Sequence, residues 1–560
     1  MPTLPVLLRC AWLAFGGGAA MPMLSAHPFT LPSALLAQAL PAPGAAERPT
    51  FEAALDIRLE GEPVTALVRV TPAGGGHPLE LPAHLRRPLG WHSLPPRTPL
   101  ALPAGTWRIE ACRGLDTLVT DAIVEVPPQG PAPAVALTLR RFRAPERGVS
   151  ANTHLHLRLH ATRPTAGALL RQQTDAEAYL RTTTASDDLD LVYVSHLERA
   201  GETQDYVSNR FTPDVLRAWS GPGGTYVYGQ EHRHEGGRSS RRSGADELRY
   251  GHVLFLDLPQ LVPPASYGAI FTPGARPDDS VPLRRAILEA RARQGTIVWC
   301  HGRQGTEEIP NWIDGLLHAQ NIHDGGSEGS YEDVFYPYLN AGFRVPFSSG
   351  TDWGVYDFSR VYVPRAGAVT SAGFLRSLAE GRSFITNGPL LEWAVDGRGS
   401  GETLALAVPG NVRLRGRAAG RDDFVALEVI WNGRVIQRVP TARASDGSFA
   451  AEIDASLPAP GPGWFALRVP ATLPYNDRSA FTGPGANVFG KALFAHTSAV
   501  YVTVGGRGVR EPEAVAQLVH EARAAIARIE ERGAFADAAA RERVLGIYRA
   551  AIATLERDAR

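Results

Sequence analysis

The sequence predicts a multidomain α/β and β protein, in which two β-sandwich domains flank a central α/β domain and a helical hairpin ends the chain. Its 560 residues favour three or four domains. Short alternating strand segments, separated by Gly- and Pro-rich turns, occupy residues 50–147 and 393–506. Over residues 148–392 apolar strand runs alternate with helix-like segments, and residues 507–560 carry two helical stripes.

The composition excludes several classes of protein. Hydrophobic residues make up 44% of the chain, which is enough for packed cores and too much for a disordered chain. Basic and acidic residues balance at 57 each, so no nucleic-acid partner is expected. No apolar run reaches the ~20 residues of an integral membrane span. The cysteines, Cys10, Cys112 and Cys300, imply no disulfide framework.

Residues 1–49 are interpreted as a signal peptide and a linker. Arg9 precedes an apolar, small-residue stretch over residues 10–24, which is the pattern of a secretory signal, and cleavage is expected after Ala26 or Ala39. The Pro-rich segment that follows is typical of a linker. We therefore expect a periplasmic or secreted protein, with a disordered Pro-rich extension as the alternative.

The two β domains are predicted from alternation. Residues 54–59 and 64–70 alternate apolar and polar side chains on either side of a turn cluster, and this pattern favours a small β-sandwich. Residues 425–430 run into a hairpin turn at Asn432-Gly433, which favours a second sandwich. Neither domain shows chemistry of its own, so packing or recognition is the expected role.

The central segment is predicted to contain alternating strands and helices. Residues 175–181 and 282–293 are predicted helices, and residues 188–194 and 296–300 are predicted buried strands. This alternation indicates either an α/β barrel or an open α/β sheet.

His154-Leu155-His156 is the first candidate site. Alternate residues of a strand point to the same side, so both imidazoles aim at one point while Leu155 enters the core. Two convergent imidazoles suit zinc, manganese or iron. A His-x-His pair on its own is more often two polar residues on a solvent-exposed strand face than a pair of metal ligands.

Further polar residues follow strand-like runs at long range. His196, Glu231, His301 and Asp352 each come directly after such a run, whereas His252 opens one. In barrel enzymes, the active-site residues lie at the carboxyl ends of the strands. The sequence therefore predicts that these side chains meet at one edge.

In this order, these residues resemble the PHP (polymerase and histidinol phosphatase) superfamily of metallohydrolases. The surrounding motifs narrow the resemblance to its carbaryl-hydrolase-like (CehA/McbA-type) branch. Those motifs are LNAGFRVP at residues 339–346, SGTDW at residues 349–353 and GRSFITNGPLL at residues 381–391. The resemblance covers residues 148–392 and implies a distorted α/β barrel with metal ions at the carboxyl ends of its strands.

The resemblance also implies a ligand set. One ion would be held by His154, His156, Glu231 and Asp352, and Glu231 would bridge to a second ion held also by His252 and His301. Two divalent transition-metal ions are thus expected, as zinc or as manganese or iron. A metal-bridging hydroxide would then cleave an ester, carbamate or amide bond of a small-molecule substrate.

Some residues depart from the wider family pattern. Ser195-His196 replaces the usual Asp-His pair, and Gly354 replaces a histidine two residues after Asp352, which weakens a third metal site. His196 is therefore expected at the pocket edge as a catalytic hydrogen-bonding or proton-donating residue, with a backbone-bonded histidine as the alternative. His232 and His234 are expected in a polar loop.

Arg303 and Trp353 are the candidate substrate-binding residues, with a salt bridge and simple packing as their respective alternatives. A basic pocket around Arg303 would favour a phosphoesterase, whereas an aromatic pocket around Trp353 and Tyr338 would favour an uncharged ester. A non-catalytic binding module with a degenerate barrel is the alternative of another class. The sequence leaves the oligomeric state open.

Overall fold

The computed structural model describes residues 50–81, 85–131, 133–142, 148–158, 173–199, 205–236, 248–267, 278–302, 305–324, 330–471 and 480–557. The predicted signal peptide and linker, 1–49, lie outside these residues, as does Arg303. Within the described residues, no helix is both long and apolar enough to span a membrane.

The N-terminal strands form two four-stranded sheets, β2-β1-β5 with β8 on β1, and β4-β3-β6-β7. The apolar face of each sheet contributes to one shared core, as Leu55, Val68 and Ile109 illustrate. This follows from the alternation of apolar and polar residues in the strands. The strands are β1 (Thr50–Leu59), β2 (Glu62–Pro63), β3 (Ala66–Pro72), β4 (Trp91–Leu94), β5 (Pro99–Pro103), β6 (Gly105–Cys112), β7 (Thr120–Val126) and β8 (Val135–Leu139).

The central segment alternates strands and helices, as the sequence predicts. Its strands are β9 (Val149–His156), β10 (Leu191–Leu197), β11 (Thr225–Gly236), β12 (Leu248–Leu256), β13 (Thr296–Cys300), β14 (Ala319–Asn321), β15 (Phe347–Ser348), β16 (Asp352–Trp353), β17 (Arg360–Val363) and β18 (Phe384–Thr386). Its helices are α1 (Gln173–Asp187), α2 (Pro213–Trp219), α3 (Leu283–Ala292), α4 (Glu308–Ile313), α5 (Tyr331–Val334), α6 (Tyr336–Asn340) and α7 (Ser371–Ala379).

In its described residues, the C-terminal segment contains ten strands and then two long helices. The strands are β19 (Leu390–Val395), β20 (Thr403–Leu406), β21 (Gly410–Gly420), β22 (Ala426–Trp431), β23 (Arg434–Pro440), β24 (Ala442–Arg443), β25 (Phe449–Ala459), β26 (Gly463–Val469), β27 (Ala495–Thr497) and β28 (Val500–Val504). The helices are α8 (Pro512–Arg532) and α9 (Ala538–Arg557). Strands β19, β21, β25 and β24 form a separate antiparallel sheet.

The dominant element is a strongly curled sheet that forms a half-barrel, with thirteen strands along its main path. Its order is β15-β14-β13-β12-β11-β10-β9-β17-β18-β27-β26-β22-β23. Strand β15 pairs with β14, and β16, a few residues later, pairs with β9, so this run of chain links the two ends of the β9–β15 part of the sheet. Strand β17 also pairs with β9, and β18 pairs with β27, so the C-terminal strands extend the sheet beyond β9. The boundary predicted near residue 393 thus crosses a continuous hydrogen-bonded sheet.

Strand β12 differs in direction from the strands that precede it in the sheet. It runs antiparallel to both β11 and β13, whereas β9, β10 and β11 are mutually parallel. It also begins at Leu248, so that His252 lies in its middle and not at its start. Because the strand direction is reversed, the amino-terminal half of β12 lies beside the carboxyl-terminal half of β11.

The predicted helical hairpin is confirmed as the pair α8 and α9. Each helix turns an apolar stripe inward, with Leu518, Ile529, Val544 and Tyr548 buried in the same core as the half-barrel. The Tyr548 hydroxyl also lies 2.8 Å from Oγ1 of Thr306. The hairpin is therefore docked on the body through apolar burial and at least one partly buried polar contact.

Candidate metal centre

Strand β9 positions the first two candidate ligands. His154 and His156 lie on one face of the strand, and the intervening Leu155 is fully buried in a separate apolar cluster. The strand pairs in parallel with β16, which brings Asp352 alongside it. Gly350 permits this approach, because a Cβ atom there would lie 2.7 Å from the backbone nitrogen and Cβ of His154.

Four buried ligand atoms converge beside β9, and we refer to His154, His156, Glu231 and Asp352 as the four-ligand group. Nε2 of His154 lies 2.9 Å from Nε2 of His156, and Oε2 of Glu231 lies 2.8 Å from Nε2 of His156. The distances from His154 Nε2 to Glu231 Oε2, and from each histidine Nε2 to Asp352 Oδ1, are all 3.5 Å. A tetrahedral zinc ion with bonds of ~2.0–2.2 Å separates its ligand atoms by ~3.3–3.6 Å. The three distances of 3.5 Å lie in this range and the two shorter ones both involve Nε2 of His156, so the four ligand atoms lie close enough together to share one transition-metal ion.

The two histidines of the four-ligand group are oriented by bonds from their other ring nitrogen. Nδ1 of His154 lies 2.8 Å from Oδ2 of Asp324, and Nδ1 of His156 lies 2.9 Å from the carbonyl oxygen of Ser195. Because these partners accept hydrogen bonds, Nδ1 of each ring carries a proton, and Nε2 is the nitrogen left to face a metal ion. Metal-ligating histidines are held in this manner.

A second group, formed by Glu231, His252 and His301, shares its carboxylate with the first. Oε1 of Glu231 lies 3.5 Å from Nδ1 of His252 and 3.4 Å from Nε2 of His301. His252 is oriented by Glu235, whose Oε1 lies 2.8 Å from Nε2 of the ring. His301 Nδ1 lies 3.3 Å from the Asp324 carboxylate, so Asp324 contacts one histidine of each group.

The prediction of a polar loop after Glu231 is wrong, because β11 continues to Gly236. His232 and His234 consequently lie on the opposite face, whereas Arg233 and Glu235 share the face of Glu231. Arg233 donates from Nε to Oε1 of Glu231 at 2.6 Å and from Nη2 to Oε2 at 2.8 Å. A buried guanidinium thus holds both oxygens of the shared carboxylate.

The electrostatics of the four-ligand group favour a cation. Burial lowers the pKa of His154, but Asp324 and Asp352 outweigh this effect and hold the pKa well above its usual value. Burial acts to raise the pKa of Glu231, yet Arg233 and the adjoining histidines hold it well below its usual range. In the metal-free protein the carboxylates therefore retain a proton on His154. A divalent ion would displace that proton, as metal ions do on binding to histidine.

His196 is not brought to either group. It pairs with Gln230 between β10 and β11, and the Gln230 side chain bonds to the carbonyl oxygens of Val262 and Ala265. Because laterally paired residues point to the same side of a sheet, His196 lies on the face opposite Glu231. Its Nε2 is 3.7 Å from Oε1 of Glu198.

The candidate substrate-binding residues have different positions. Trp353 is partly exposed, and its ring lies 5.3 Å from that of His156 and 5.6 Å from that of Tyr206. The guanidinium of Arg158 lies over both aromatic rings, at 5.2 Å from Tyr206 and 5.8 Å from Trp353. Tyr338 packs in the core with its ring 6.2 Å from that of Trp312. Trp353 therefore lines the centre, and Tyr338 belongs to the core.

Sequence reasoning missed Asp324, Glu235 and Arg233. The last two carried a readable signal, because Glu231, Arg233 and Glu235 alternate along one strand and must share a face. Asp324 follows β14 by three residues and carried no comparable signal. Its proximity to His154 depends on how β14 and β9 are placed in the curled sheet.

Comparisons with known proteins leave the family open. No protein-family model matches the chain, and no curated protein matches it. Among solved structures, an engineered protein aligns with 59% of this chain and 70% of its own, at 12% sequence identity and a TM-score of 0.13. Similarity at that level carries no argument about the fold or the activity.

Proposed function

We propose that the chain is a metal-dependent hydrolase that cleaves an ester, carbamate or amide bond of a small molecule. The observation that carries the proposal is the four-ligand group, in which two oriented imidazoles and two carboxylates converge in a buried site. The motif resemblance described above supports the same activity. Zinc suits this donor set, as do manganese and iron.

When bound, such an ion would supply a nucleophilic hydroxide near neutral pH, because it lowers the pKa of bound water to ~7, and it would polarise the scissile carbonyl. Other residues of the chain orient the histidine ligands. Asp324 and the Ser195 carbonyl keep the lone pairs of His154 and His156 aimed at one point. All four residues of the group are buried, so the charges act where water screens them little.

Trp353 is proposed to form the substrate side of the centre. It is partly exposed, whereas its neighbours His156 and Tyr206 are almost fully buried. An aromatic ring in that position packs against an apolar or aromatic substituent of the substrate. We propose Arg303, which lies outside the described residues, as a second substrate contact.

The test is metal content combined with turnover of nitrophenyl ester substrates. We expect the purified protein to contain zinc, manganese or iron, to lose turnover on chelation and to regain it on reloading. His156→Ala should lose both metal and turnover, whereas His520→Ala, at an exposed position of α8, should keep both. A wild-type protein that binds no transition metal would refute the proposal.

Phosphoester hydrolysis is the second candidate, and the position of Arg158 favours it. Its guanidinium lies over the rings of Tyr206 and Trp353 beside the centre, where it would suit an anionic group in addition to its partner Asp205, 3.3 Å away. Nitrophenyl phosphate, assayed in parallel with the esters, separates the two activities. Full metal occupancy without turnover of either substrate class would favour the binding-module alternative.

A further inference from the structure

The two candidate ligand groups meet at one carboxylate, that of Glu231. Its Oε2 faces the four-ligand group, and its Oε1 faces His252 and His301. Two ions bridged by this carboxylate would each use one of its oxygens. Whether both sites fill therefore depends on what else binds the two oxygens.

Both carboxylate oxygens of Glu231 are already hydrogen-bonded to a permanent cation, the guanidinium of Arg233. Arg233 donates to Oε1 at 2.6 Å and to Oε2 at 2.8 Å, and its side chain is 6% exposed. An arginine does not lose its proton in a protein, so this charge is present at every working pH. The bidentate contact also uses one lone pair of each oxygen, which is the geometry that makes such pairs strong.

The two candidate ligand groups differ in the number of ligands that remain when Glu231 is left out. The four-ligand group retains His154, His156 and Asp352, whose three ligand-to-ligand distances lie between 2.9 and 3.5 Å. The second group retains only two histidines. An ion there would depend on Oε1 of Glu231, which is the atom bonded to Nε of Arg233, and would lie beside a like charge.

We propose that the guanidinium of Arg233 takes the place of the second cation, so that the wild-type chain binds one divalent ion in the four-ligand group. This inference rests on the proposed function only in assuming that the four-ligand group is a metal site. It replaces the two ions that the motif resemblance implies. His252 and His301 then form a site that is suppressed by Arg233, which lies two residues after Glu231 on β11.

The second group keeps the features of a metal site. Nδ1 of His252 is buried and has no hydrogen-bond partner among the described residues, and Glu235 orients the ring from the other nitrogen. Removing the guanidinium should therefore release the site. Arg233→Met keeps an unbranched apolar side chain and removes the charge and the donors, whereas Arg233→Gln removes the charge and keeps a polar side chain.

The experiment is to strip the full-length protein with a chelator, reload it with zinc and count tightly bound ions by elemental analysis and titration calorimetry. We expect one ion in the wild type and two in Arg233→Met or Arg233→Gln. Arg158→Met is the matched control, because Arg158 stacks on Trp353 without contacting Glu231, and it should retain one ion. In an Arg233→Met chain, adding His252→Ala should return the count to one.

A measurement on the wild-type background protects the test against a misfolded Arg233 variant. There His252→Ala should leave the single ion and its affinity unchanged, whereas His156→Ala should abolish binding. Two tight ions in the wild type, or a loss of one ion in His252→Ala, would overturn the inference and leave the proposed hydrolase standing. A wild-type chain that binds no zinc would overturn both.

Discussion

The carboxylate of Asp324 lies 2.8 Å from Nδ1 of His154 and 3.3 Å from Nδ1 of His301, and so contacts the outward nitrogen of one histidine in each candidate ligand group. Asn321 donates to the same oxygen at 2.8 Å. The carboxylate thus fixes which nitrogen of each ring is protonated and makes the opposite nitrogen a better donor to a metal ion.

Asp324→Asn should consequently weaken zinc binding by ~10–100-fold, because such orienting partners typically contribute that much to metal affinity. Competition with a chromophoric chelator measures the change. Asp333→Asn is the matched control, because Asp333 caps α5 through Ser330 and touches neither histidine, and it should bind zinc as the wild type does. Equal affinities in the two variants would remove Asp324 from the centre.

The residues of the two groups could be found in the sequence because strand alternation acts locally. His154 and His156 must share a face, and Glu231 follows an apolar strand run. The sheet that brings these strands together could not be foreseen in detail. The antiparallel direction of β12 and the pairing of β18 with β27 depend on contacts between distant segments.

The face on which His196 lies has a specific cause. The sequence places it at the end of β10, and residues at strand ends were expected to face the site. Its face relative to Glu231 is set by the register between β10 and β11, which is unbroken and pairs His196 with Gln230 and Leu197 with Glu231. A register one residue different would place His196 on the face of Glu231, and no feature of the sequence fixes that register.

From this position we expect His196→Ala to keep its metal ion and its kcat. The ring lies on the face opposite Glu231 and contacts Glu198. Steady-state turnover with metal-loaded protein tests the expectation. A fall in kcat of ~10²-fold with the metal retained would restore the general-acid role that the sequence predicts for His196.

Glu231→Gln should lose metal and turnover together. The neutral amide offers one weak oxygen ligand in place of two charged oxygens, and it leaves Arg233 buried without its carboxylate partner. Elemental analysis after dialysis measures the metal, and circular dichroism establishes that the fold persists. Wild-type metal content and turnover in this variant would exclude Glu231 as a ligand.

A buried ion pair joins the N-terminal sheets to the half-barrel. Arg87 donates two hydrogen bonds to Asp187 at the end of α1, and both side chains are 0% exposed. Asp187→Asn should lower the free energy of unfolding by ~3–5 kcal/mol, because it leaves a buried guanidinium without its counter-charge. Arg86→Met is the control in calorimetry, because the exposed Arg86–Glu80 pair should contribute ~1 kcal/mol or less.

The stability of the protein should fall in mild acid partly through His318. Its Nδ1 accepts the backbone N–H of Ile297 at 2.9 Å, and a nitrogen of Arg291 lies 3.2 Å from its Nε2. Burial, and then the charge of Arg291, lower the pKa of His318 to about 4. The unfolded chain takes up a proton near pH ~6.5 whereas the folded chain does not, so stability is lost as the pH falls from ~6.5 to ~4.

Between pH 7 and pH 5 this difference amounts to ~2 kcal/mol. His318→Asn removes the titration and keeps an oxygen that can accept the Ile297 N–H. We expect its Tm to fall by a few degrees less than that of the wild type over this pH interval. His520→Asn, at an exposed position of α8, should behave as the wild type. An identical fall in Tm for the wild type and His318→Asn would show that His318 takes up its proton equally in the folded and unfolded chains.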